Sequence, residues 1–451
     1  MHPSRAIRGR SSQLLNGRRI ILGISGSIAA VEVVRIIREL LRHGADVQGV
    51  MSAEATRIIT PEAVAFATGH APITQLSGAV EHVSYFGPGE DRADLFLIAP
   101  ATANTISKIA HGIDDTPVTS FASVALGGGV PILVAPAMHA QMGRNPAVQE
   151  SLDRLRRWGV GVIASQSAEG EEKLATPEEV AAAVLHRLAR GPWTAERVIV
   201  IGGASRESID SVRSITNESS GMFAVALATQ AYYRGAEVQF WTGALQVPVP
   251  TFLPRRSWRG VGDLIELART NAAELSAARA VIVPAALSDF TLPNRPGKIS
   301  SREHPTLSLR LDRAPKVLPE LRRLAPPPVR LVGFKLEADL TPEALEREGR
   351  SMLEEAHLDW VIANDAKTLG SPNVSAFVIK RSGGGHWIQG PKAEVAGKIW
   401  DDLGREISDI PPQSTPPSAT APPRAAASRG SRHGSLPRRG ASGARRRARR
   451  S

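Results

Sequence analysis

Two α/β domains in tandem are the fold class that this sequence predicts, and three observations predict it. A short β-branched run closed by glycines, the usual start of a βαβ unit, occurs at residues 18–26 (RRIILGISG) and again at 197–203 (RVIVIGG). Each run is followed by apolar residues at helical spacing and then by a second strand-like run. A chain of 451 residues, 42% hydrophobic and 22% charged, has enough apolar material for two cores. Each domain is therefore expected to be a Rossmann-like three-layer sandwich, with helices on both faces of a sheet.

In chain order, residues 1–17 are polar and Arg-rich and are expected to be flexible. The first domain is placed at 18–190. It opens with a strand at 20–24, a turn at Gly26-Ser27 and a helix at 31–41 that stops at Gly44. A strand at 46–51 completes that unit. Buried strands follow at 95–98 and 130–135, each running into a Pro-containing loop at 99–101 and 135–137. Ligands of parallel α/β sheets lie beyond the carboxyl ends of strands, so these loops mark the expected site. A helix at 149–158, a strand at 160–164 and a helix at 177–188 close the domain.

Residues 191–196 read as a linker, and the second domain is placed at 197–405. Its strands are expected at 198–201, 237–242, 280–283, 329–334 and 360–363, with a Gly/Ser-rich loop after the first. Helices are expected at 223–234, 261–275, 342–356 and 392–403. A loop lies at 294–302, and a hairpin at 376–380 and 386–389 turns at 383–385. From Pro411 onward the composition shifts to Pro, Ala, Ser, Gly and Arg, which cannot offset its own ordering entropy, and a disordered tail is expected over 406–451.

Charge and composition narrow the function. The net charge is +11, but residues 410–451 hold ten arginines and no Asp or Glu, leaving the rest of the chain nearly neutral. The basicity thus belongs to an appendage, and no nucleic-acid partner is expected for the domains. An arginine run can bind polyanions, so a nucleic-acid-binding protein working through its tail is the reading from another class. The chain has no cysteine, which removes thiolate metal sites and Cys nucleophiles. No apolar run has the length of a membrane span, and the first residues lack a signal peptide's apolar core; a cytoplasmic protein with no membrane partner is expected.

Two strand–turn–helix units invite a dinucleotide-binding assignment, which the residues resist. Neither Gly23-Ile24-Ser25-Gly26-Ser27 nor Gly202-Gly203-Ala204-Ser205 has the three-glycine spacing, and neither following strand ends in an acidic residue for a ribose hydroxyl. Both turns still offer helix N-termini suited to a phosphate.

Polar groups of the first domain fall in four stretches: 25–27, Glu81-His82, 102–104 and 136–145 (PAMHAQMGRN). Singly each has an ordinary explanation: Ser27 as a helix N-cap, His82 as a packing histidine, Met138 and Met142 as core. In the second domain, Asn217 alone reads as a turn residue and Lys298 as a solvated lysine, while Arg206 and Arg213 are attractive as phosphate contacts or are ordinary salt-bridge arginines. Their joint order says more. GSIAA, then EH, then PATANTISKIAHGIDD, then PAMHAQM resembles the flavin-dependent cysteine decarboxylases, above all the phosphopantothenoylcysteine decarboxylases. GGASRESIDSVRSITNESSG, continuing through PAALSDF, RPGKISS, RAPKVLPEL, VGFKLEAD and VIANDA, resembles the phosphopantothenate-cysteine ligases.

The resemblance spans about residues 18–405 and implies a bifunctional, archaeal-like enzyme of coenzyme A biosynthesis. The ligase half would join cysteine to 4'-phosphopantothenate with a nucleotide triphosphate and Mg2+, CTP being favoured over ATP. The decarboxylase half would use FMN to give 4'-phosphopantetheine. By resemblance, FMN lies against Gly26, Ser27, Ser52, Thr102 and Asn104, and His82 is the catalytic base. Asn217 holds the acyl-nucleotide, while Asp289, Lys298 and Phe334 bind the nucleotide; no metal ligand is assigned. Two departures stand out. His139 occupies a position where many relatives have Asn, and the cysteine of the bacterial substrate clamp is missing, leaving Lys173 as candidate proton donor or carboxylate contact. The ligases' two lysines before the last parallel strand are also absent, with Lys335 or Arg350 as candidate substitutes. The resemblance further implies a homo-oligomer, trimeric through the flavin domain and dimeric through the ligase domain. Another FMN-binding cysteine decarboxylase, or a flavin prenyltransferase, is the alternative that the first half alone would allow.

Overall fold

The computed structural model describes residues 2–89, 91–164, 166–168, 171–293, 297–300, 306–337, 341–368 and 370–408. Of the tail expected over 406–451, residues 406–408 instead belong to helix Lys392–Ser408 and those from 409 onward lie outside the described residues; of the loop expected at 294–302 only 297–300 are described.

The strands of the first half are β1 (Arg19–Ile24), β2 (Asp46–Met51), β3 (Leu95–Ala101), β4 (Ile132–Pro136), β5 (Met138–His139), β6 (Gly161–Val162), β7 (Gln166–Ala168) and β8 (Glu171–Lys173). Five of them form one parallel sheet in the order β2-β1-β3-β4-β6. The chain steps out from β1 to β2 and then back past β1 to β3, which puts the topological switch point, and the ligand crevice, at the carboxyl ends of β1 and β3. Alternate residues of the strands serve opposite layers. Ile20, Leu22, Leu95 and Leu97 join the core beneath helices Val33–Arg42 and Pro177–Leu188. Ile21, Phe96 and Ile98 join the core beneath Ala103–Ala110 and Pro117–Gly127. A strand buried on both faces has no use for polar positions, hence the unbroken apolar runs.

The second half contributes β9 (Arg197–Gly202), β10 (Arg206–Ser208), β11 (Ser214–Thr216), β12 (Glu237–Thr242), β13 (Arg255–Ser257), β14 (Ala280–Val283), β15 (Phe290–Thr291), β16 (Asp312–Arg313), β17 (Arg330–Glu337), β18 (Trp360–Asp365), β19 (Asn373–Lys380) and β20 (Gly385–Pro391). Its main sheet runs β13-β12-β9-β14-β17-β18-β19-β20, parallel up to β18 and antiparallel over the closing hairpin. Here too Val198 and Val200 face one core while Ile199 and Ile201 face the other. Gly203, at φ +88, shows why its turn needs glycine: a Cβ there would stand 2.8 Å from the Ala244 carbonyl.

Four local expectations are corrected. The N-terminal segment is docked. Helix Pro3–Ile7 forms, the amides of Gly9, Ser11 and Leu15 bond the carbonyls of Leu41, Arg42 and His43, and Leu15 is fully buried. Those carbonyls end helix Val33–Arg42 and need donors, which a polar segment supplies. The linker is anchored rather than loose: Trp193 is buried, with its ring 4.7 Å from Trp400 and its Nε1 donating to the Trp400 carbonyl at 2.9 Å. The helix expected at 261–275 breaks at Asn271 into Val261–Thr270 and Ala272–Ser276, and the Asn271 side chain bonds the Leu267 carbonyl of the first. The Gly/Ser loop after β9 holds the hairpin β10–β11.

Candidate functional site

At the switch point of the first sheet, three strands end in hydroxyl-bearing N-caps. Ser27 after β1 accepts from the Ala29 amide, Ser52 after β2 from the Ala55 amide, and Thr102 after β3 from the Thr105 amide. Each helix start carries partial positive charge, and the Ser27 and Ser52 hydroxyls still have a proton to donate, whereas that of Thr102 is given to Thr105 Oγ1 at 3.0 Å; this donor set suits an anionic phosphate. Gly26 lets the β1 turn pass close over the second helix start: a Cβ there would collide with Cβ of Glu54. Asn104, in the first turn of Ala103–Ala110, is exposed.

One residue of the polar stretch 25–27, to which the sequence reading gave no role, holds these loops together. Ser25 is 1% exposed. Its hydroxyl donates to the Pro100 carbonyl at 2.7 Å and accepts from the Thr102 amide at 3.0 Å. The second domain repeats the device with Ser205, fully buried, whose Oγ accepts from the Ser288 amide at 2.9 Å. The signal was present, since each serine stands within three residues of its strand's last glycine, but nothing in the sequence showed its partner.

His82 lies on helix Glu81–Phe86, with its ring 6.3 Å from that of Phe121. Its Nδ1 is buried without a hydrogen-bond partner among the described residues. A buried polar nitrogen left unpaired is costly, and a ligand group supplying its partner would remove that cost. Ser77, bonded through both hydroxyl and amide, holds the Glu81 carboxyl below the usual carboxylate range and braces the turn before His82. No hydrogen bond among the described residues joins His82 to the Ser25–Thr102 group.

His139 and Lys173 are brought together. They belong to the small antiparallel sheet β5-β8-β7, which leaves the carboxyl end of β4. His139 stands opposite Glu171, and Lys173 is two residues further on, so alternation puts His139 and Lys173 on one face. Both are exposed. Met138 packs against the core, whereas Met142 is exposed rather than core.

In the second domain Asn217 donates from Nδ2 to the Leu287 carbonyl at 3.0 Å, which joins the end of β11 to the loop after β14. Asp289 lies two residues further along, exposed, 2.8 Å from Lys316. Phe334, on β17, packs edge-on to Phe223 at the start of helix Met222–Tyr233. Lys298 is exposed in the described piece 297–300. Arg213 is a salt-bridge arginine, 2.8 Å from Asp210, while Arg206 is exposed. Lys335 is paired with Glu337 at 2.7 Å and Arg350 with Glu346 at 2.6 Å, so each candidate substitute lysine or arginine already carries a carboxylate. Lys316, beside Asp289, is a cation that sequence reasoning passed over. Among the described residues no group of three or more His, Asp or Glu is placed to hold a metal ion, and no helix is long and apolar enough to cross a membrane.

Residues 8–189 match the family model described as Flavoprotein, and residues 193–406 match that of the DNA/pantothenate metabolism flavoprotein C-terminal domain. The coenzyme A biosynthesis bifunctional protein CoaBC of Thermococcus kodakarensis is 40% identical over 409 residues, covering 90% of this chain and 100% of the relative. The chain belongs to the CoaBC family. The CoaBC of Methanocaldococcus jannaschii is 34% identical, covering 90% of this chain and 98% of its own. Among solved structures, the FMN-dependent cysteine decarboxylase SpaF is 31% identical, covering 38% of this chain and 99% of its own, with a TM-score of 0.33. In CoaBC terms the switch-point cradle of β1–β3 lies in the Flavoprotein half, and Asn217, Asp289, Lys298 and Phe334 lie in the C-terminal half.

Proposed function

We propose that the chain performs two consecutive steps of coenzyme A biosynthesis, ligation of cysteine to 4'-phosphopantothenate and decarboxylation of the product to 4'-phosphopantetheine. The observation that carries this reading is the match to a bifunctional CoaBC protein over that relative's whole length, through both halves. One phosphorylated substrate passing from ligase to decarboxylase gives two chemically different domains a reason to share a chain.

In the ligase half, the substrate carboxylate attacks the nucleotide α-phosphorus and expels pyrophosphate. The cysteine amine then attacks the acyl-nucleotide, forming the amide and releasing the nucleoside monophosphate. Asn217 is assigned to the acyl-nucleotide, with Asp289, Lys298 and Phe334 at the nucleotide. Phe334 offers a ring, Lys298 a point charge for phosphate, and Asn217, already tied to the Leu287 carbonyl, retains its amide oxygen as acceptor. Mg2+ enters with the triphosphate, whose charge it offsets. CTP is the favoured nucleotide, on the resemblance of the motifs.

In the decarboxylase half, the residues present fit FMN: three helix starts with hydroxyl caps suit its phosphate, and Gly26 and Asn104 border the same crevice. FMN, when bound, would take two electrons from the cysteinyl thiol, which lets the carboxylate leave as CO2, and would return them to give the saturated thiol of the product. His82 takes up the substrate proton, and an N–H or lone pair at its unpaired Nδ1 is free to be fixed by a ligand. His139 and Lys173, on one face of the β5-β8-β7 flap, are assigned to the substrate carboxylate and to returning a proton. Self-association around the flavin site is supported by Ile28 and Val31, which are 77% and 54% exposed directly after Ser27.

The test is an absorption spectrum of the purified protein, followed by a coupled assay. Oxidised-flavin bands, with FMN released on denaturation, and conversion of phosphopantothenate, cysteine and CTP to phosphopantetheine are expected. A colourless protein that cannot be reconstituted with FMN would overturn the decarboxylase assignment, and absence of ligation with either CTP or ATP would overturn the ligase assignment.

A further inference from the structure

The second domain contains a carboxylate to which the mechanism above gives no task. Asp210, in the turn of the β10–β11 hairpin, has a side chain with 0% exposure. One oxygen accepts from the Val212 and Arg213 amides at 2.9 and 2.7 Å. The other takes the Arg213 guanidinium at 2.8 Å and, 89 residues away in sequence, the Ile299 amide at 3.1 Å. Two further bonds run between the same segments: the Ser211 amide donates to the Gly297 carbonyl at 3.1 Å, and Arg213 donates to the Ile299 carbonyl at 3.3 Å.

These contacts bracket Lys298 on both sides. Its neighbours in the chain are held at the Gly297 carbonyl and at both the amide and the carbonyl of Ile299, while its own ammonium is exposed and makes no hydrogen bond or ion pair among the described residues. Residues 297–300 form no helix or strand of their own, so their conformation is set by what binds their backbone. Ordering such a segment costs backbone conformational entropy. If the buried carboxylate meets that cost in the free protein, an incoming triphosphate need not.

We infer that Asp210 is a positioning residue of the ligase: it fixes the 297–300 segment so that Lys298 meets the nucleotide triphosphate preorganised. The inference rests on the assignment of Lys298 to the nucleotide. Charge-assisted acceptance of a backbone amide is stronger than a neutral bond. Asn at 210 keeps one acceptor for the hairpin amides, but turns the other position into a donor facing the Ile299 amide. The hairpin is kept and the Lys298 segment is released.

The experiment uses the full-length protein with Asp210→Asn, Lys298→Ala and the double variant. It measures the nucleotide and cysteine KM and the kcat of ligation, with decarboxylation of supplied phosphopantothenoylcysteine as the control for folding. Tryptic cleavage of the Lys298–Ile299 bond, identified by the mass of the new peptide, reports on the segment without reference to activity. Asp210→Asn is expected to raise the nucleotide KM by about 3- to 10-fold, leave cysteine KM and decarboxylation unchanged, and speed cleavage after Lys298; the double variant is expected to match Lys298→Ala alone, as sites acting through one contact do. An unchanged nucleotide KM in Asp210→Asn, or effects that simply add, overturns the inference. If Lys298→Ala itself leaves the nucleotide KM unchanged, the assignment of Lys298 falls and the inference with it, and the cleavage rate then shows whether Asp210 holds the segment at all. Should Asp210→Asn fail to fold, Arg213→Met, which removes only the bonds of its guanidinium, is expected to shift KM and cleavage in the same direction by less; no shift in either overturns the inference.

Discussion

The Ser25 hydroxyl accepts the Thr102 amide at 3.0 Å, and by donating to the Pro100 carbonyl at 2.7 Å it ties the loop after β1 to the loop after β3. Those two loops flank the switch point, so the spacing of the proposed flavin cradle depends on one buried hydroxyl. Ser25→Ala leaves the Thr102 amide without its partner and the Pro100 carbonyl with only the Ser25 amide, 3.3 Å away, and is expected to cost about 1–3 kcal/mol of stability. It is also expected to lower the flavin-to-protein absorbance ratio of the purified enzyme. Ligation should be untouched; a variant with full flavin content would refute this role for Ser25.

His82 is the assigned base of decarboxylation, and its ring packs beside Phe121 of its own half. His82→Asn is expected to slow CO2 release at least about 100-fold, the range for loss of a general acid–base group. Ligation measured on the same preparation should stay at the unmodified rate. Loss of both activities would mean that the two halves are not independent.

Trp193 is held by the second core and by the Trp400 carbonyl. Replacing it with alanine removes a fully packed indole and is expected to destabilise the protein by about 3–5 kcal/mol. Urea denaturation followed by tryptophan fluorescence would measure this. An unchanged midpoint would show that residues 191–196 act as a free linker after all.

The contact between the halves is tyrosine-rich. Tyr232 stacks on His186 at 4.2 Å, and Tyr233 packs edge-on to His43 at 5.7 Å. Burial, with the Glu39 and Glu178 carboxylates nearby, pushes the Tyr233 phenol from its ordinary 10.0 up to about 12. A phenol whose folded value is raised favours the neutral form, so its contribution is complete below pH 10 and is lost as pH rises from about 10 to about 12. That loss amounts to about 3 kcal/mol at most. Burial likewise raises Tyr85 and Tyr232, so all three tyrosines of the chain resist ionisation. Tyrosinate absorbance at alkaline pH should therefore develop late and together with unfolding. Three phenols titrating freely near pH 10 would contradict the packing.

Most of the architecture was legible. Both strand–turn–helix starts, the parallel strands and the closing hairpin follow from apolar periodicity and glycine placement, because strands buried on both faces leave a continuous apolar trace. The segments misread were those whose order comes from elsewhere. The polar residues before β1 are ordered by the carbonyls that end helix Val33–Arg42, and Trp193 is ordered by a helix some 200 residues downstream, through a bond spanning 207 positions.

What the sequence determined by itself is the class of fold, the two halves and the set of polar residues clustered in their loops, since periodicity and motif order are local properties. Which of those residues are structural was decided only by the tertiary structure. Arg213, attractive as a phosphate contact, is engaged by a buried carboxylate, and Ser25, Ser205 and Asp210, ordinary in their local context, bind partners 77, 83 and 89 residues away. The physical reason is that a hydrogen bond across a sheet edge depends on which strands lie side by side, and the order of strands in a sheet is not written in the order of residues along the chain.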